Sequence, residues 1–128
     1  AKVYVHALKD DSFIVRTQAL ENIKMLNLKN EAQFVWAMLY DKRNYYEIKG
    51  ATSKRSNIIK NVVKTIGDLK FEKARNPLLK MIQKDRYNDI FDEMDYSLAM
   101  ITGKQSPKGD RKLKRQFWSR QLLDQTII

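Results

Sequence analysis

The densest group of side chains able to do chemistry is acidic: Asp85, Asp89, Asp92, Glu93 and Asp95 fall within a short span. On a continuous helix Asp85, Asp89 and Asp92 share a face at i, i+4 and i+7, a spacing that can hold a divalent cation through oxygen ligands. Structural roles account for the same residues more simply. Asp85 fits an inter-helix turn, Asn88 or Asp89 fits an N-cap, and carboxylates near a helix start suit its dipole. No metal site and no cofactor is therefore expected. Paired-carboxylate hydrolysis finds no assisting imidazole, because the single histidine, His6, lies on the first short element and is assigned no role. The absence of cysteine excludes disulfides, thiolate zinc sites and cysteine nucleophiles. Gly50, Gly103 and Gly109 form no phosphate-cradling motif. No catalytic residue is assigned, and an enzyme is not expected.

A second chemistry is electrostatic. The chain has 25 Lys and Arg against 15 Asp and Glu, a formal charge of +10. Positions 42–55 contribute +4 of this and positions 104–128 contribute +5, which leaves the rest nearly neutral. In the first stretch Lys42, Arg43, Tyr45 and Tyr46 interleave cations with aromatic rings, and Lys54 and Arg55 follow. In the second, Lys112, Lys114 and Arg115 stand close together. Lysine and arginine can contact phosphates and exposed tyrosines can stack on bases, so these nine residues are the candidate anion-binding or nucleic-acid-binding set. The competing outcome is a solvated basic loop with its tyrosines packed on the body of the protein.

The elements that must position these groups are helical. A chain of 128 residues, 43% hydrophobic and 31% charged, has globular composition and room for one core. No apolar run approaches the ~20 residues of a membrane span, and no basic-then-apolar leader opens the sequence. In 12–26, Val15, Ala19, Ile23 and Leu26 recur at helical spacing behind Ser12, a candidate N-cap. In 30–41, Asn30 with Gln33 resembles a capping box ahead of Phe34, Val35, Met38 and Leu39. The span 56–69 gathers Ile58, Ile59, Val62, Val63 and Ile66 on one side and ends near Gly67. Helices are also predicted over 72–84, with Pro77 in or before the first turn, over 88–102, stopping at Gly103, and over 110–126. The opening 1–9 is taken as a helix, since a single strand would have no partner. Arg16 is expected to bond a carboxylate such as Asp10 or Asp11, and Trp36, Met25, Met38, Met81 and Met94 are expected in the core.

These helices carry a recurring signature. Asp10, Val15, Ala19 and Ile23 find counterparts in Asp85, Ile90, Met94 and Leu98, and in Asp41, Ile58, Val62 and Ile66 once 12 extra residues inside 42–56 are set aside. The pattern Leu8-x-Asp10-x4-Val15-Arg16-x2-Ala19-x3-Ile23 resembles the HEAT repeat, close to the short HEAT-like repeats of bacterial phycobilisome-lyase-type proteins. The likeness covers roughly 2–103, and the close Leu98-Ala99-Met100-Ile101-Thr102-Gly103 before a basic segment with Trp118 looks like the end of many such proteins. Arg16 stands at the repeat arginine, but Ile59 and Phe91 occupy that place in the other units, so the implied Asp–Arg ladder between repeats is interrupted.

The resemblance implies an all-α, right-handed α-solenoid of three helix pairs, about 1–27, 30–69 and 72–103, with the basic loop 42–56 inserted in the second. The segment 104–128 belongs to the same domain and supplies a capping helix. Such arrays serve as binding surfaces, so the leading expectation is a non-catalytic interaction module. A protein partner would dock on the ridge of second helices, where Lys60, Lys64, Asp92 and Glu93 are candidate contacts. The alternative is a nucleic-acid-binding module using 42–55 and 104–120.

Overall fold

The computed structural model describes residues 2–45 and 57–127, with side chains for 3–45 and 57–122. The described residues are all-helical, without a strand. The α-helices are α1 (Lys2–Ala7), α2 (Phe13–Met25), α3 (Ala32–Ala37), α4 (Asn57–Asp68), α5 (Arg75–Met81), α6 (Phe91–Thr102) and α7 (Arg111–Ile127). Short 3-10 turns lie between several of them. None of these helices is long and apolar enough to cross a membrane.

Helix α1 packs on α2, α3 on α4 and α5 on α6, while α2 meets α4 and α4 meets α6. The core follows from the apolar spacing of α4, whose Ile58, Ile59, Val62, Val63 and Ile66 are all buried. A helix apolar on this much of its circumference must be covered by several neighbours, which puts α4 in the middle. Its closest neighbour is α6. A Cβ on Gly67 would sit 2.6 Å from the Ser97 backbone, so this glycine is needed for close helix approach rather than as the helix stop its position suggests. The Ser97 hydroxyl seals the contact by donating to the Val63 carbonyl.

The helix ends recur. Asn27 after α2 and Lys70 after α4 both take left-handed backbone, with φ 51° each. In both places the next residue (Leu28, Phe71) donates back to a carbonyl of the finished helix, and a 3-10 turn then leads into the following helix. Gly103 closes α6 in the same left-handed region, as its residue type predicts.

Ser12 caps α2 by accepting from the Val15 N–H, and Pro77 lies in the first turn of α5, both as expected. Other starts differ. Asn30 is inside the 3-10 turn Lys29–Glu31, and α3 begins after Glu31 with no side-chain cap. Likewise α6 begins after Ile90, not at Asn88 or Asp89, because a 3-10 stretch (Asp85–Ile90) precedes it. Met38 and Met94 are core residues, but Met25 is 79% exposed at the end of α2, and Val15 and Leu26 also face solvent.

Helix α7 lies on α5. Trp118 anchors it, with no exposed surface, its ring edge-on to Phe117 and its indole N–H donating to Asp95 of α6 at 2.8 Å. The same carboxylate oxygen accepts from Ser106, and Lys114 stands 3.7 Å from the other oxygen. Asp95 thus joins α6, the connecting loop and α7 through one carboxylate.

Candidate functional site

The charged side chains divide into those consumed by folding and those left available. Arg16 is consumed. It is buried, and its guanidinium donates to the backbone carbonyls of Asp10 and Asp11 at 2.9 and 3.0 Å and to Asn44 Oδ1 at 3.0 Å. Its partners are therefore not the carboxylates expected from sequence. The turn carbonyls lie nearer, and a planar fork with five donors can serve several oxygens at once.

Arg43, in the 3-10 turn Lys42–Asn44, reaches back to the same turn as Arg16. It donates to the Lys9 carbonyl, pairs with Asp11 at 2.9 Å and grips Asp41 through Nε and Nη2. These bonds and the Arg43 backbone N–H hold the Asp41 carboxyl below its ordinary value, against a smaller opposing push from burial. A carboxyl whose folded value is depressed contributes stability above its unfolded value, near ~3.9, and loses that contribution as the pH falls through the folded value. Denaturant midpoints measured from neutral pH down to about pH 3 are therefore expected to fall less steeply for Asp41→Asn than for the wild type. Equal steepness would contradict the coupling.

Arg115 performs the same task at the turn after α5. From α7 it donates to the Ile82 carbonyl at 3.0 Å, to Asp85 at 3.1 Å and to Asn88. Arg43 and Arg115 thus each tie a turn carbonyl and a turn carboxylate to another element. Lys114 is also engaged, donating to Ser106 and to the Pro107 carbonyl.

Three of the nine candidate anion-binding residues (Arg43, Lys114 and Arg115) therefore have structural partners. Tyr45 is half-buried against the core rather than a free stacking ring. Lys42 and Lys112 are exposed. Tyr46, Lys54 and Arg55 lie outside the described residues. The acidic cluster is dispersed in the same way: Asp85 serves Arg115, Asp95 serves Trp118, and the helix does not run continuously from Asp85 to Asp92. Among the described residues no group of three His, Asp or Glu side chains could hold a metal ion.

Two surfaces gather available charges from neighbouring elements. On α4, Lys60 and Lys64 are one turn apart, and the Lys64 ammonium sits 5.4 Å from the Tyr96 ring of α6. Tyr96 also donates to Asp68, which keeps its hydroxyl protonated to higher pH than usual. Asp92 and Glu93 precede Tyr96 by one turn on α6. Tyr96 thus joins the two charged pairs across neighbouring helices. Lys60, Asp92 and Glu93 make no hydrogen bond or ion pair with another described residue.

The second surface is a groove of about 540 Å³ lined by Gln83, Lys112, Arg115, Gln116, Ser119 and Arg120. Of these, only Lys112 and Arg115 belong to the candidate set drawn from sequence; Arg120 at i+8 from Lys112 was the signal available for the rest. No family model matches this chain, and no curated protein or solved structure is significantly similar to it.

Proposed function

We propose that the chain is a non-catalytic interaction module, a right-handed HEAT-like solenoid of three helix pairs capped by α7, which docks a protein partner on the ridge of its second helices α2, α4 and α6. The recurring left-handed helix ends and the α2–α4–α6 row of contacts support the repeat reading. The observation that carries the docking reading is the contrast in how charges are used. Arginines along the turns are spent on carbonyls and carboxylates, whereas Lys60, Asp92 and Glu93 on the ridge are not.

Charges of both signs around a partly exposed tyrosine suit a partner of complementary, bipolar charge, because such pairs set register and speed encounter. Catalysis has no part in this reading. A photo-crosslinking side chain installed at Asp92 is expected to capture a discrete protein partner in cells, and the same group at Lys73, on the turn before α5, is not. Equal capture from both positions would overturn the ridge assignment.

A further inference from the structure

The groove on α7 has a composition unlike the rest of the surface. Three cations, two amides and one hydroxyl line it, with no carboxylate and no aliphatic or aromatic side chain among the described residues. Cations this close repel one another unless something neutralises them. At Arg43 and Lys114 that neutralisation is internal. Of the described carboxylates nearby, Asp85 is already committed to Arg115, and Asp95 to Trp118, Ser106 and Lys114. Lys112 and Arg120 make no hydrogen bond or ion pair with a described residue.

The groove is also pre-formed. Arg115 is fixed by three bonds that use three of its five N–H donors, and the Gln83 side chain donates to the Arg115 carbonyl at 2.8 Å. Lys112, Gln116 and Arg120 fall at i, i+4 and i+8, so their Cα atoms span about 12 Å at 1.5 Å per residue. A row of donors this long fits a strand laid along the helix better than a single small ion.

From this arrangement we infer that the groove binds the phosphodiester backbone of a nucleic-acid strand. The ammonium of Lys112, the guanidinium of Arg120 and the two N–H donors that Arg115 has left contact phosphate oxygens, and the hydroxyl of Ser119 and the amide of Gln116 supply neutral donors between them. Among the described residues no aliphatic or aromatic side chain lines the groove, which argues against a peptide, whose affinity rests on buried aromatic or aliphatic anchors. None of the described lining residues carries a ring to stack a base, so binding is expected to follow charge and salt rather than sequence. The site lies on α7 and the turn after α5, away from the proposed protein-docking ridge, so either reading can fail without the other.

The test is fluorescence anisotropy of the whole chain with mixed-sequence single-stranded and duplex oligonucleotides at low and moderate salt. Wild type is expected to bind at least one of them at low salt with little sequence preference. Lys112→Gln/Arg120→Gln is expected to weaken binding by about tenfold or more and to reduce the salt slope by about 2. A control, Lys29→Gln/Lys73→Gln, removes the same charge from exposed positions elsewhere and is expected to change binding far less. No binding at low salt, equal losses in the two double variants, or equally tight binding of an acidic peptide would each overturn the assignment.

Discussion

Replacing Trp118 with alanine is expected to destabilise the protein by about 3–5 kcal/mol, the cost of removing a fully buried large aromatic. Two losses combine. The ring's packing with Phe117 disappears, and Asp95 is left without the indole N–H that it accepts at 2.8 Å. For a domain this size the loss is a large share of total stability and corresponds to a fall in melting temperature of roughly 10–20 °C. Trp118→Phe separates the two contributions, since it keeps most of the packing but drops the donor. It is expected to cost about 1–2 kcal/mol. Thermal melts of both variants check this order. Equal, small losses would mean that α7 is an appendage rather than the cover of α5 and the third unit.

The second large effect is expected at Arg16. Its guanidinium ties the first turn to Asn44 in the next unit, and Asn44 is itself buried, donating to the Met38 carbonyl at 3.0 Å. Arg16→Ala leaves Asn44 Oδ1 without that donor and opens space beneath the turn. A loss of about 2–4 kcal/mol follows from the broken buried hydrogen bonds plus lost packing. Arg16→Lys recovers little, because an ammonium cannot reproduce the fork. Arg43→Ala, by contrast, removes ion pairs at the surface, and exposed pairs of this kind are worth at most about 1 kcal/mol. Chemical denaturation of the three variants checks the ranking. Comparable losses for Arg16→Ala and Arg43→Ala would show that the buried fork carries no special weight.

The helices themselves were legible because their apolar spacing is regular and their stops are local. Ser12 and Gly103 act as their residue types suggest. The start of α3 was obscured by a coincidence. Asn30 and Gln33 mimic a capping box, but the chain has already turned at Asn27 and enters through a 3-10 turn. The partners of Arg16 were not legible, since three are backbone carbonyls and the fourth, Asn44, sits in a stretch whose basic and aromatic neighbours suggest an open loop. Asp95 is similar. In sequence it belongs to an acidic cluster, and only the fold brings Trp118 to it. At the candidate sites, sequence identified basic stretches but could not separate spent from unspent charge. That distinction moves emphasis from Arg43 and Lys114 to Lys112 and Arg120, and it leaves Lys60, Asp92 and Glu93 on the ridge.

The central claim is that this ridge is the working surface of the module. It is tested most directly by the affinity for the protein captured at Asp92, measured with wild type and with the charge-reversed variant Lys60→Glu/Lys64→Glu/Asp92→Lys/Glu93→Lys. The ridge reading predicts a dissociation constant raised by about tenfold or more, equivalent to about 1.4 kcal/mol, in a variant whose helical signal and core remain intact. An unchanged dissociation constant in the folded variant would contradict it.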